Sequence, residues 1–282
     1  ISVDENVIGT ANRPIQGSGI VFENVDFDLM NLDENVLSHL SQTAIVFNNA
    51  NLADQLSFDS NNISSADTGY GIHFNGTQFG TLSPRMTFNS NTIQTSASGS
   101  HAIFFDSINE LDNVIFSGNN VTNVDTAILI SSSGALANLT FSGGRLADLR
   151  EHAVSLIAPS LTDLDVTDGT FENISRSAFN LVMSDFIDDV TVESGDYTNI
   201  GERVYLLSAT NSISNVEFTH DDTYTNGHRL VANTSESGEV AIDLGTMTNI
   251  SSDAINVSTV SMAGFNFSGF TVNQYGFTGN GA

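Results

Sequence analysis

Apolar and polar positions recur along this chain in one pattern, roughly every 25 residues. The pattern reads apolar, any residue, apolar, two small or polar residues, one turn residue, any residue, apolar. Clear copies are "LSFDSNNI" (56–63), "MTFNSNTI" (86–93), "VIFSGNNV" (114–121) and "LTFSGGRL" (139–146). Alternating apolar positions on both sides of a turn residue predict two short β-strands that meet at a tight corner.

Eleven copies of the pattern cover the chain. The other seven are "ISVDENVI" (1–8), "VDFDLMNL" (25–32), "LDVTDGTF" (164–171), "VTVESGDY" (190–197), "VEFTHDDT" (216–223), "IDLGTMTN" (242–249) and "FNFSGFTV" (265–272). A second apolar run precedes each later copy, beginning with "GIVF" (19–22) and "AIVF" (44–47). Such a period is too short for a βαβ unit, which takes ~30 or more residues. It suits one turn of a parallel β-solenoid, in which stacked repeats share a continuous core.

Two columns of this alignment predict the interior. The apolar column, predicted to stack inside, is Val3, Phe27, Phe58, Phe88, Phe116, Phe141, Val166, Val192, Phe218, Leu244 and Phe267. The turn column is Asn6, Met30, Asn61, Asn91, Asn119, Gly144, Gly169, Gly195, Asp221, Met247 and Phe270. Asn, Gly and Asp tolerate left-handed backbone, so we expect that conformation at this column. Stacked Asn amides also predict hydrogen bonds from coil to coil.

The repeats extend over the whole chain without a linker. We therefore predict an all-β fold and a single domain over residues 1–282, a right-handed parallel β-helix of about eleven coils and a segment of a longer protein. One stretch, "LDENVLSHLSQ" (32–42), is also compatible with a helical turn.

The columns resemble right-handed parallel β-helices, the three-sheet fold of pectin-degrading enzymes, phage tailspikes and autotransporter passenger domains. The segments "FDSN" (58–61), "FNSN" (88–91) and "FSGN" (116–119) resemble the Phe-x-x-Asn repeats of bacterial surface passengers such as the chlamydial polymorphic membrane proteins. The resemblance implies either surface adhesion or the processing of polysaccharide.

Charge narrows the choice of partners. The formal net charge is −26, with no lysine among the seven basic residues. Nucleic acids and anionic membrane surfaces attract Lys and Arg, so both are disfavoured as partners. The chain has no cysteine and no apolar stretch of the ~18 residues needed to span a bilayer. We therefore expect no disulfide and no membrane insertion of this segment, and an extracellular place on a bacterial cell surface.

The outward positions of the "AIVF"-type strands are the first place where a catalytic or binding site would be expected. Pectate-lyase-like enzymes carry calcium-binding carboxylates and a catalytic Arg or Lys on the outer face of one sheet, but here no carboxylate or Arg occupies these positions. Instead they include an apolar strip of Val46, His73, Phe104 and Leu129. Exposed contiguous apolar surface marks an interface. The strip is therefore the candidate binding site, and the alternative is a strip covered by neighbouring loops.

A second outward column carries acidic residues, namely Asp165, Glu217 and Asp243. Asp165 and Glu217 lie two coils apart, ~9.6 Å at the usual strand spacing. Inverting glycosidases separate their carboxylates by ~6.5–9.5 Å. We expect a solvated face here and no calcium ion, because one carboxylate per coil is too sparse for the six to eight oxygen ligands that calcium takes.

No phosphate loop, zinc pattern or nucleophile elbow is present, so no cofactor is predicted. The favoured interpretation is a non-enzymatic bacterial surface adhesin that contacts a host or bacterial protein, a glycan or another copy of itself. The alternative is a carbohydrate-active β-helix, either a polysaccharide lyase or hydrolase or a phage tailspike.

Overall fold

The computed structural model describes residues 1–65, 69–79, 85–95, 97–219, 223–225, 230–243, 246–250, 255–267 and 271–275, with side chains described for 1–64, 69–79, 85–95 and 97–218. Every pairing between strands in these ranges is parallel, and no helix occurs among them. The chain is an all-β parallel β-solenoid, as predicted. It has about eight turns, slightly fewer than the eleven predicted.

Each coil contributes strands to three faces. The first face holds β2 (Ile20–Glu23), β5 (Ile45–Asn48), β8 (Ile72–Asn75), β12 (His101–Ile108), β15 (Thr126–Ser132) and β20 (Arg203–Ala209). The second face holds β3 (Asp26–Asp33), β6 (Asn51–Asp59), β9 (Gln78–Phe79), β10 (Arg85–Asn89), β13 (Leu111–Ser117), β16 (Leu136–Ser142) and β21 (Ser212–Thr219). The third face holds β1 (Val7–Ile8), β4 (Val36–Ser38), β7 (Asn62–Ser65), β11 (Thr92–Thr95), β14 (Asn120–Thr122), β17 (Arg145–Leu149), β22 (Thr223–Thr225), β24 (Thr246–Ile250) and β26 (Thr271–Tyr275). Four longer strands pass around corners, namely β18 (Val154–Ile174), β19 (Ser177–Ile200), β23 (Leu230–Asp243) and β25 (Ile255–Phe267).

Two stacks of phenylalanine rings fill the interior of the earlier coils. From the second face, successive rings of Phe58, Phe88, Phe116 and Phe141 stack at centroid distances of 4.8, 4.9 and 4.7 Å. From the first face, Phe47, Phe74 and Phe105 stack at 4.8 and 4.5 Å. All seven side chains are buried. The predicted phenylalanine column is therefore confirmed at these four second-face positions, and each ring pair adds ~0.5–1.5 kcal/mol beyond its buried area.

A ladder of asparagine side chains runs beside these rings at the corner between the second and third faces. Its members are Asn6, Asn35, Asn61, Asn91 and Asn119. At Asn61, both the backbone N and Nδ2 donate to Oδ1 of Asn91, at 3.0 and 2.9 Å, and Nδ2 also donates to the carbonyl oxygen of Leu32. The coil-to-coil amide hydrogen bonds are as predicted, and they satisfy polar groups that would be costly to bury unpaired.

The predicted left-handed backbone at Asn61, Asn91 and Asn119 is wrong. The positive φ falls one residue earlier, at Ser60 (+55°), Ser90 (+54°) and Gly118 (+61°). These three residues are exposed, whereas the asparagines after them are buried. The physical reason is that each asparagine points inward and aligns its own N–H with the next coil, so the preceding residue makes the bend.

The predicted alignment is also wrong in two of the eleven copies. In the second copy, Leu32 rather than Phe27 pairs with Phe58, and Asn35 rather than Met30 joins the ladder. The segment 32–42 is not helical, because it contains β4, which pairs with β1 and β7. In the tenth copy, Ile242 pairs with Phe218 in the place predicted for Leu244, which lies outside the described residues, as do Asp221 and Phe270 of the turn column.

Candidate binding surface

The four predicted residues of the apolar strip lie on the first face in adjacent coils. Val46 pairs with His73, His73 with Phe104, and Phe104 with Leu129. His73, Phe104 and Leu129 are half-buried, between neighbours that are buried. Val46 is only 8% exposed, so it contributes little surface, although Val21 in the coil before it is 51% exposed. The described strip is therefore carried mainly by His73, Phe104 and Leu129.

Two further rings, which the sequence interpretation missed, join the strip. Tyr70 and His101 precede His73 and Phe104 by three residues, Tyr70 just before β8 and His101 at the start of β12. The ring centroid of Tyr70 lies 4.7 Å from that of His73 and 5.0 Å from that of Phe104. The ring of His101 lies 5.1 Å from Phe104. We call Tyr70, His73, His101 and Phe104 the aromatic cluster.

The sequence positions these rings through the coil register. In these two coils a residue pair that faces the core, Gly71–Ile72 in one and Ala102–Ile103 in the next, separates the two ring-bearing positions. The residues on either side of such a pair are half-buried, so both belong to the outer surface. Because the two coils pair in register, four rings from two coils meet. A signal for this was present in the sequence as an aromatic residue or histidine on both sides of the pair.

Both imidazoles of the aromatic cluster are neutral at pH 7. Burial lowers the pKa of His73 to about 4, and the carboxylate of Asp106 opposes that shift. Burial also lowers the pKa of His101, against the carboxylates of Asp125 and Glu151. Nε2 of His73 and Nδ1 of His101 are buried without a hydrogen-bond partner within the described part of the chain. The cost of burying a charged imidazole therefore outweighs the attraction of these carboxylates, and the neutral form is favoured.

The acidic column of the second face is described in part. Asp165 pairs with Thr191, which pairs with Glu217, so the two carboxylates lie two coils apart, and both side chains are exposed. Partial desolvation by the sheet surface raises the pKa of Asp165, and the carboxylates of Asp163 and Asp189 add to the shift. The placement of Asp243 in this column is wrong. Its strand is shifted by two residues, so Ala241 pairs with Glu217 and Asp243 pairs with Thr219.

Ion pairs and potential metal ligands are sparse on both surfaces. Within the described ranges, no group of three or more His, Asp or Glu side chains lies close enough to hold a metal ion. Arg150 is the cation near the aromatic cluster, and its guanidinium is paired with Asp125. The surface around the rings thus combines apolar and neutral faces with carboxylates.

The described residues include no helix that is long and apolar enough to cross a membrane. A comparison of the chain with protein-family models, with curated proteins and with solved structures gave no significant match.

Proposed function

We propose that this chain is a non-enzymatic segment of a bacterial surface adhesin, placed outside the cell, and that the strip on its first face is the contact surface. The observation that carries the proposal is the aromatic cluster, in which four half-buried rings from two coils meet on the outside of the sheet. Aromatic side chains at an exposed surface are typical anchors of protein and glycan interfaces.

Composition and shape support the same function. A rod of stacked coils with a net charge of −26 stays soluble and presents long, flat faces to partners. The described outward positions in the column of the strip are neutral, namely Val21, Val46, His73, Phe104, Leu129, Ser155, Asn180 and Leu206. A partner protein, a glycan or a second copy of the chain would meet a row of uncharged positions, of which only Val46 and Ser155 are buried.

Phe104→Ala tests the proposal. We expect attachment to host or bacterial cells, to a glycan array or to a second copy to weaken by ~1–4 kcal/mol, as for an interface anchor. The melting temperature should stay nearly unchanged, because Phe104 lies outside the core. Leu206→Ala is the matched control, since Leu206 is half-buried in the same column, away from the cluster. Unchanged attachment together with a stability loss of ~3–5 kcal/mol, the range for a core phenylalanine, would show that Phe104 is a structural residue.

One observation favours the alternative, a carbohydrate-active β-helix. The aligned and exposed carboxylates of Asp165 and Glu217 have the approximate spacing of an inverting glycosidase, and a raised pKa at Asp165 suits a general acid. A polysaccharide degradation screen with Asp165→Asn and Glu217→Gln as controls decides this alternative. Release of reducing ends that both substitutions abolish would support it, and the absence of release from a broad polysaccharide panel would exclude it.

A further inference from the structure

The rings of the aromatic cluster form two parallel pairs. Tyr70 is parallel to His101, with an interplanar angle of 3°, and His73 is parallel to Phe104, at 2°. The two pairs are inclined to each other by 65° to 67°. The cluster therefore consists of two stacked ring pairs that meet at an angle on the outer surface, rather than of a flat apolar plate.

Carboxylate side chains lie beside the aromatic cluster. Asp106 follows Phe104 by two residues on β12, so strand alternation places it on the same outer face, and its charge acts on His73. Asp125 and Glu151 act on His101. Asp125 is occupied by Arg150, whereas Asp106 and Glu151 form no ion pair with any described residue. Two negative charges beside the rings are thus left uncompensated within the described structure.

From the two ring pairs and their flanking carboxylates, we infer that the aromatic cluster binds cationic side chains, Arg above all, on a partner protein. This inference rests on the proposed function, because it assigns the partner chemistry of the same surface. The face of a phenyl or phenol ring attracts a guanidinium or ammonium group within ~6 Å of its centroid. Asp106 and Glu151 supply the opposite charge, and the neutral imidazoles of His73 and His101 add no repulsion.

Charge also favours a basic partner protein over a second copy of the chain or a neutral glycan. A second copy of the chain would carry the same net charge of −26, and the repulsion between the two copies disfavours close approach. A neutral glycan would use the rings but would gain nothing from the carboxylates. A basic protein surface uses both features, and the field of the whole acidic chain steers it toward the rod.

The test uses a fluorescently labelled peptide of alternating Arg and Gly and an analogue with citrulline, the neutral isostere of arginine, in place of each Arg. Binding to the whole chain is measured by anisotropy near physiological salt. We expect the Arg peptide to bind at least roughly tenfold more tightly than the citrulline peptide. Phe104→Leu, which keeps an apolar side chain but removes the ring, should weaken binding of the Arg peptide roughly three- to tenfold.

Two matched charge substitutions distinguish binding at the cluster from non-specific attraction to the acidic chain. They also test the inference without relying on the folding of Phe104→Leu. Asp106→Asn should weaken binding of the Arg peptide, whereas Asp196→Asn, which removes the same charge from an exposed site on the third face, should not. Equal effects of these two substitutions, or equal affinity for the two peptides, would overturn the inference.

The proposed function can stand if this inference fails. If Phe104→Ala abolishes attachment while the Arg and citrulline peptides bind equally, the surface is an interface for a partner of other chemistry. If Phe104→Ala leaves attachment unchanged as well, the proposed function fails together with the inference.

Discussion

The coils before and after residue 141 fill the same interior with different side chains. In the earlier coils, the corner position is asparagine and the second-face position is phenylalanine, as at Asn91 and Phe88. In the following coils, the corner is Gly169 and then Gly195, and the second-face position is valine. The large rings reappear one element later, on the third face, where Phe171 and Tyr197 stack at 4.8 Å.

The glycines of the later coils are required by those rings. A Cβ added to Gly169 would lie 2.4 Å from a ring carbon of Phe171, and one added to Gly195 would lie 3.0 Å from the ring of Tyr197. Each ring therefore lies across the corner that an asparagine side chain occupies in the earlier coils. At the boundary, Gly144 follows Asn119 in register, with a φ of +83°, and a Cβ there would be 2.4 Å from the carbonyl oxygen of Asn119. The solenoid thus has a polar ladder at this corner in its earlier coils and a ring across the same corner in the coils of Gly169 and Gly195.

The largest effect is expected from removing a ring in the earlier coils. Phe88→Ala deletes a fully buried side chain that stacks on both Phe58 and Phe116, and neighbouring coils cannot close over the cavity without losing their register. We expect the free energy of unfolding to fall by ~3–5 kcal/mol, measured by denaturant titration. A loss below ~1 kcal/mol would mean that the stack is not part of the core.

The polar ladder provides the next test. Asn91→Ala removes the oxygen that accepts both the backbone N–H and the Nδ2–H of Asn61. Each buried donor left without a partner costs ~1–3 kcal/mol, so the loss in unfolding free energy should be a few kcal/mol. Asn89→Ala is the control in the same coil. Asn89 is exposed, and its replacement should change stability by no more than ~0.5 kcal/mol, so equal effects of the two substitutions would contradict the ladder.

The later coils are tested by restoring a side chain at the corner. Gly169→Ala should destabilise the protein by ~1–3 kcal/mol, because the new methyl group overlaps the ring of Phe171. Combining it with Phe171→Leu, which removes the overlapping ring, should cost less than the sum of the two single substitutions. Strict additivity in this double-mutant cycle would show that the ring and the glycine do not share one space.

The smallest effect concerns pH and compares one histidine from each region. Burial lowers the pKa of both His73 and His152 to about 4, below the ordinary 6.5. Between these values the unfolded chain binds protons at these histidines that the folded chain does not, so their contribution to stability should fall as the pH drops from 6.5 to 4 and change no further below 4. His73→Gln and His152→Asn should each flatten this part of the curve. A stability difference between variant and wild type that is independent of pH would contradict the neutral buried imidazoles.

The period of the pattern was enough to predict the parallel coils and the stacking of Phe58, Phe88, Phe116 and Phe141, because each copy places an apolar residue at the same interval. The register of the second copy was not predictable from local alternation, since both Phe27 and Leu32 fit the apolar column. The asparagine ladder decides between them, and it depends on contacts with other coils. Propensity favours Asn61 over Ser60 as the left-handed residue, but burial of the asparagine side chain overrides that preference.

The candidate surface was predicted in part for a similar reason. Strand alternation placed His73, Phe104 and Leu129 on the outer face of the first sheet, where the structure has them. It did not indicate that Tyr70 and His101 lie within about 5.5 Å of rings in the same coil and in the neighbouring coil. It also overstated the exposure of Val46, which neighbouring coils cover.

Hydrogen exchange of the asparagine side-chain amides, followed by NMR on the 15N-labelled protein, tests the stacked-coil core most directly. Nδ2 of Asn61, Asn91 and Asn119 donates within the buried ladder, whereas Nδ2 of Asn89 lies on the exposed surface. We expect the three ladder amides to exchange far more slowly than that of Asn89, at rates set by opening of the coils. Ladder amides that exchange as fast as the Asn89 amide would contradict the stacked parallel coils.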